Sequence, residues 1–309
     1  MKKLIIILVT VIALLTSCTT VERNTVTFVD GDVTTTATTT LTGRISYPNP
    51  VGRENYIFDC WYLDAELTTP VPQNYKPDGD ITVYAGYSPD YRTLVNSIYT
   101  DYIRANVTVQ ATHYANRWNS LLKEEGQGSG VIIREDENYY YCITNNHVTE
   151  SEKGYAYSSF VVVDCYGTSY EGKLLYAEAD SDLSLVAFRK GGTALRTLTV
   201  SATDTAVDCR VIAIGQPNGL INSVTFGTVE RFDTVDISNN GNTSYAFESI
   251  WHNAPINHGS SGGALLNDSL EIVGINYAVA ASKSGNITYG FAIPASRLLT
   301  FLATFDSQK

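Results

Sequence analysis

From Val107 onward the chain reads as strands in short apolar runs, and this pattern narrows the fold more than any other feature. Gly130 to Ile133, Tyr139 to Ile143, Phe160 to Val163, Leu183 to Phe188, Val211 to Ile214, Ile272 to Tyr277 and Tyr289 to Ile293 are separated by glycine and Asx turns. Runs of this length suit strands rather than helices. Many short strands at non-local spacing predict an all-β barrel architecture. The 309 residues include 21 tyrosines and a single methionine, and Tyr-, Thr- and Val-rich chains favour strands. Two segments depart from the pattern. Tyr91 to Arg104 places Leu94, Val95, Ile98 and Tyr102 on one helical face, and Ala295 to Phe305 reads as a closing helix.

Residues 25–88 read as a separate unit. "TVTFVDGDVTTT" alternates Thr with Val or Phe and turns at Asp30-Gly31, which is hairpin patterning. "YIFDCWYLDAELTTPV" and "PDGDITVYAGYS" follow. This order, carried by the Phe58/Trp61/Tyr62 cluster, resembles the Listeria–Bacteroides repeat, a small β-rich extracellular module. Here Cys60 stands where that repeat usually has glycine. A single copy is visible, so no repeat array is expected. Ser88-Pro89-Asp90 is the junction, and residues 91–309 form the second domain.

The first residues bear on the compartment. Met1-Lys2-Lys3 is a positive start, and Leu4 to Leu15 is a run of twelve apolar or Thr residues. A bilayer span needs about 20, whereas a signal peptide needs no more than this. Leu15-Thr16-Ser17-Cys18 resembles the lipobox of bacterial lipoproteins. That resemblance implies a signal peptide over residues 1–17, lipidation of Cys18, a tether over 18–24, and an exported protein held on a membrane and facing away from the cytoplasm. A net charge of −11 argues against nucleic acid as a partner. Cys60, Cys142, Cys165 and Cys209 form no CxxC pair, so neither a zinc site nor a disulfide is assigned. Cys142 and Cys209 lie in apolar runs and read as small buried hydrophobes. No metal or cofactor is expected.

The chemistry concentrates in "INHGSSGGALL", Ile256 to Leu266. A flexible linker would not run at once into Ala264-Leu265-Leu266. The alternative is a tight turn that fixes a serine hydroxyl and the amides around it. A serine needs an adjacent base, and the chain has four histidines. His147 ends the strand-like "YYYCIT" run. His113 lies in a polar stretch before Trp118. His252 and His258 stand too close to the serine in sequence to face it and also meet a carboxylate. The base needs an acid to fix its tautomer, and "ADSDLSLVAF" offers Asp180 and Asp182. Either Ser260 or Ser261 satisfies the hydroxyl chemistry.

"GSGVII", "TNNHV", "SDLSLVAF", "VIAIGQPNGL", "SVTFGTVERF", "INHGSSGGALLN", "IVGINYA" and "YGFAIP" occur in order over Gly128 to Pro294. Together they resemble HtrA/Deg-type trypsin-like serine proteases. The resemblance implies a two-barrel chymotrypsin-like fold with a C-terminal helix. It makes His147 the base, Asp182 the orienting acid and Ser261 the nucleophile, with the amides of Gly259 and Ser261 as oxyanion hole. His258 falls on the rim, and Ile256 and Asn257 lead into the pocket. Ile275, Asn276 and Tyr277 lie on the strand that pairs with substrate. With no acid at the pocket floor, small or medium apolar P1 side chains are expected. Ser260 stands where the family often has Asn and digestive trypsins have Asp, so activation by a cleaved N-terminus has no acidic partner. HtrA proteins usually continue into PDZ domains. None follows in this sequence, and PDZ gating is not expected. The function implied is a surface-anchored endopeptidase acting on unfolded envelope proteins. The alternative is a binding lipoprotein that uses the fold as scaffold. A homo-oligomer and a surface partner for the repeat stay open.

Overall fold

A computed structural model describes residues 23–117, 120–151, 154–236, 246–281 and 287–308. The signal-peptide segment, Cys18 and most of the tether lie outside the described residues. The chain divides into two compact units, Met1–Asp90 and Tyr91–Lys309.

The first unit is a four-stranded sheet. Strands β1 (Thr25–Asp30), β2 (Val33–Thr38), β3 (Tyr56–Tyr62) and β4 (Ile81–Pro89) lie in the order β2-β1-β4-β3. β1 and β4 run parallel. The period-two pattern of β1 sends Val26, Phe28 and Asp30 inward. Phe28 and Phe58 pack on Trp61, with ring centroids 5.1 and 5.6 Å away. The buried Asp30 carboxylate is satisfied by the Tyr87 hydroxyl, the Val51 amide and the Arg53 guanidinium.

The second unit begins with α1 (Tyr91–Thr100), which buries Leu94 and Ile98. The helix stops short of Arg104. Asp101 leaves helical geometry at φ −133°, and a 3-10 turn over Tyr102–Ala105 follows. Asp101 is ion-paired with both Arg104 and Arg196. Strands β5 (Asn106–Arg117), β6 (Ser120–Glu135), β7 (Tyr139–Thr144), β8 (Tyr157–Val163), β9 (Ser169–Glu178) and β10 (Leu183–Arg189) close a barrel in the order β10-β7-β6-β5-β8-β9. A one-turn helix, α2 (Asn146–Thr149), follows β7. Strands β11 (Arg210–Gly215), β12 (Ser223–Asp236), β13 (Ala246–His252), β14 (Ala264–Leu266), β15 (Ile272–Ala281) and β16 (Ile287–Pro294) close a second barrel, β11-β12-β13-β16-β15-β14. Helix α3 (Ala295–Ser307) buries Leu298, Phe301 and Leu302, and Phe301 meets Tyr176 of β9 at 5.0 Å. An Arg134–Asp306 pair bonds the same helix to β6.

One expectation needs correction, at Cys209, and the polar stretch around His113 lies within β5. Val107, Val109, Ala111, His113 and Ala115 alternate inward, and His113 is 1% exposed with Nδ1 2.6 Å from Ser158 Oγ. Cys209 is exposed, because β11 begins only at Arg210 and the cysteine sits in the preceding turn beside Asp208, whose φ is +66°. Cys142 is buried, and Cys60, Cys142, Cys165 and Cys209 are all free thiols.

Candidate active site

The first barrel supplies both His147 and Asp182. Thr144 closes β7, Asn145 caps the single turn of α2, and His147 stands on that turn. Asp182 directly precedes β10, in left-handed geometry at φ +50°, which aspartate tolerates better than most residues. Its carboxylate is fully buried. Oδ1 accepts the His147 backbone N–H at 2.9 Å, and Oδ2 lies 2.8 Å from His147 Nδ1. An ionised carboxylate only accepts, so Nδ1 carries the proton and Nε2 is left as the acceptor. Asn145 Nδ2 holds the Asp182 carbonyl at 2.9 Å. Burial acts to lower the His147 pKa. The hydrogen bond and charge of Asp182, helped by Glu150, outweigh it and raise the value above the ordinary one. Asp180 is exposed on the neighbouring 3-10 turn, so Asp182 is the acid brought to His147.

The serine turn belongs to the second barrel, between β13 and β14, and backbone contacts shape it. Gly259 and Gly262 take φ +93° and +85°. A Cβ on Gly259 would lie 2.4 Å from the Gln216 carbonyl, and one on Gly262 would lie 2.1 Å from that of Ser129. These two positions therefore require glycine for both conformation and space. Ser129, on β6 of the first barrel, braces the turn. Its amide donates to Ser261 O at 2.7 Å, and its hydroxyl donates to Gly259 O at 2.7 Å while accepting from Gln216 N at 2.9 Å. The His258 carbonyl is anchored on Asn218 N at 2.7 Å. The amides of Gly259 and Ser261 make no hydrogen bond among the described residues.

The two barrels bring these parts together at Gly128. A Cβ there would touch Val148, the neighbour of His147, at 2.6 Å and the Ser261 carbonyl at 2.8 Å. Ser261 is partly exposed, and its hydroxyl donates to the Tyr277 carbonyl at 3.3 Å. Ser260 is 3% exposed, with its Oγ accepting from Asn257 N. His258 is exposed at the rim.

Ile256 and Asn257 line a cleft of about 370 Å³, with Thr225, Pro255, Tyr289 and Gly290 among its other walls. Among the described residues, none that lines it is charged. Ile275, Asn276 and Tyr277, expected on the strand that pairs with substrate, all lie on β15. Ile275 is paired with Ala264 of β14, and Asn276 exchanges backbone bonds with Gly262 and Gly263. Both are buried, at 0% and 1% exposure. The β14 ladder ends at Ile275, so the side of β15 that it covers becomes free only from Tyr277 onward. Ser129, Gln216 and Asn218 had not been singled out. The sequence signals for them were the small-residue run Gly128-Ser129-Gly130 opening an apolar strand and the segment "VIAIGQPNGL", which holds Gln216 and Asn218.

Residues 128–275 match the trypsin-like peptidase domain, and residues 25–86 match the Listeria-Bacteroides repeat domain. Among curated proteins, a probable serine protease do-like of Buchnera aphidicola subsp. Acyrthosiphon pisum (strain APS) is 33% identical over 57% of this chain and 34% of its own length. The periplasmic serine endoprotease DegP of Escherichia coli (strain K12) is 35% identical over 55% of this chain and 33% of its own length. The periplasmic pH-dependent serine endoprotease DegQ of the same organism is 32% identical over 57% and 36%. The chain thus spans about a third of the length of the curated relatives it matches. An HtrA-type protease solved with a decapeptide superposes with a TM-score of 0.56 at 23% identity, over 69% of this chain and 67% of that one, a likeness of fold.

Proposed function

We propose that this chain, which carries a trypsin-like peptidase domain, is an exported serine endopeptidase. Ser261 is the nucleophile, His147 the general base and Asp182 the acid that orients it. The observation that carries this reading is the buried Asp182 carboxylate gripping both the backbone and the ring of His147, with the Ser261 turn held against the same β6 glycine as Val148. In the reaction, the Ser261 hydroxyl leaves the Tyr277 carbonyl and gives its proton to His147 Nε2 as Oγ attacks a peptide carbonyl. The proton then passes to the leaving amine. The amides of Gly259 and Ser261, which have no partner among the described residues, receive the charge that develops on the carbonyl oxygen. Water releases the acyl group by the same steps in reverse.

The uncharged cleft over Ile256 favours small or medium apolar P1 side chains. A folded domain rarely offers such residues on an extended segment, so the substrate class is unfolded protein. The relatives named periplasmic support export. The lipobox-like Leu15-Thr16-Ser17-Cys18 supports a diacyl or triacyl membrane anchor. Digestion of a reduced, unfolded protein, with every cleavage site mapped by mass spectrometry, tests the pocket. Ala, Val, Ser or Leu at P1 is expected, and a majority of Lys or Arg would overturn the assignment. Cys18→Ser should release the protein from membranes or leave its signal uncleaved. Normal processing with full membrane retention would remove the anchor.

A further inference from the structure

His252 closes β13 and is fully buried, yet it has no part in the triad. Its Nε2 lies 3.0 Å from Asn276 Oδ1. Asn276 Nδ2 donates to the carbonyls of Gly263 at 3.2 Å and Ala264 at 3.3 Å. Those two bonds fix which end of the amide is which, so Oδ1 is an acceptor and His252 Nε2 must carry the proton. The Asn276 backbone grips the same segment, accepting from Gly262 N at 2.8 Å and donating to Gly263 O at 2.9 Å. Asn276 is therefore a clamp on the three residues that follow Ser261, and His252 decides how its side chain points.

The ring also occupies the space that Gly290 leaves. A Cβ on Gly290 would lie 2.4 Å from His252 Cε1 and 2.6 Å from Nε2. Gly290 lines the uncharged cleft, so the imidazole stands directly behind its wall. Nδ1 has no hydrogen-bond partner. Burial outweighs the opposing effects of Asn276 and the Ala254 backbone and pushes the pKa down to about 4. No charged side chain contributes to that balance. The ring is neutral wherever the triad can work. An apolar residue in its place would leave Asn276 Oδ1 buried without a donor, a state that folded proteins avoid.

We propose that neutral His252 is a positioning residue. Its Nε2–H orients the Asn276 amide, and the oriented amide clamps Gly262–Ala264 so that the Ser261 hydroxyl and amide stand in reactive geometry. The catalytic consequence rests on the peptidase reading above; the clamp itself does not.

The test uses the full chain and three variants: His252→Ala, His252→Gln and Asn276→Ala. Glutamine places an N–H donor at the distance of Nε2 and does not titrate. Hydrolysis of a peptide with valine at P1 should show kcat reduced ~10-fold or more in His252→Ala and Asn276→Ala, since small misplacements of reacting groups are costly. KM should change little, and His252→Gln should recover most of the loss. Adding His252→Ala to Asn276→Ala should cost nothing further. A His252→Ala enzyme within twofold of wild-type kcat, or a loss that glutamine does not repair, would overturn the proposal. A second readout needs no activity. Amide hydrogen exchange at Gly262 should accelerate in His252→Ala and return toward wild type in His252→Gln, while 15N spectra of the wild type should show a protonated Nε2 at pH 7. Unchanged exchange, or a protonated Nδ1, would overturn the clamp even if the wild type cleaved nothing. A wild type without activity but with this exchange pattern would sink only the peptidase reading.

Discussion

The two barrels of the second unit hold their halves of the site in different ways. The first supplies His147 and Asp182, whose buried carboxylate holds the His147 ring at 2.8 Å and its backbone N–H at 2.9 Å. The second supplies Ser261 on a turn shaped almost wholly by backbone, with glycines at φ +93° and +85° and carbonyls caught by Ser129 and Asn218. One half is set by charge, the other by conformation. Substitutions in the first half should therefore change chemistry while leaving the fold, and substitutions in the second should disturb both.

The sharpest contrast is expected between Ser261→Ala and everything else. Loss of the nucleophile should lower kcat by about 10⁶, to the level left by binding and the oxyanion amides. Its melting temperature should stay within a few degrees of wild type. Asp182→Asn comes next. It keeps the shape but lets the ring choose the wrong tautomer, and a loss of about 10⁴ in kcat is expected. A loss under tenfold would show that charge does not hold the first half.

The two buried-side histidines have opposite signs in pH. The folded His147 pKa is raised, so its pairing with Asp182 adds stability below the unfolded value and loses it as pH rises through the folded one. The folded His252 pKa is lowered to about 4, so the unfolded chain binds a proton there first. Its neutral form is fully favourable above about pH 6.5, and stability drains away as pH falls toward 4. The size is about 3 kcal/mol, from roughly 1.4 kcal/mol per pKa unit. Urea unfolding of wild type and His252→Gln at pH 7 and pH 4.5 should show that slope only in the wild type. Equal slopes would place His252 in water-like surroundings.

A smaller effect is expected at the brace between the barrels. Ser129→Ala leaves the Gly259 carbonyl and the Gln216 amide without their shared partner. A cost of about 1–3 kcal/mol in stability is expected, together with a kcat loss that calorimetry and kinetics on the same sample can compare. An unchanged kcat would mean that the turn holds itself.

This division also explains what was legible in the sequence. Side-chain chemistry shows in residue identity, so "TNNHV", "SDLSLVAF" and "GSSGG" narrow the candidates to His147, Asp180 or Asp182, and Ser260 or Ser261, and the resemblance to HtrA/Deg-type proteases chooses among them. Backbone geometry does not. Nothing in the letters says that Ser129 N–H and Oγ both reach the serine turn 130 residues away, or that Asn218 catches the His258 carbonyl. The strands of the apolar runs were legible because both faces, or one alternating face, are buried. The bounds of β5 were not, because its inward positions include His113 and small alanines that blur the period-two signal. Nor do the letters say which part of β15 is already paired: the β14 ladder covers Ile275, and where a ladder ends is set by its partner's length.

The most direct measurement is the reaction of the full chain with a fluorophosphonate, followed by mass spectrometric mapping of the adduct across a pH series. One adduct per chain on Ser261 is expected, forming at a rate that falls with a single protonation whose midpoint lies above the ordinary histidine value of about 6.5, since His147 is raised. An adduct on Ser260, a labelling rate independent of pH between 5 and 8, or a folded protein that forms no adduct would contradict a Ser261–His147–Asp182 peptidase.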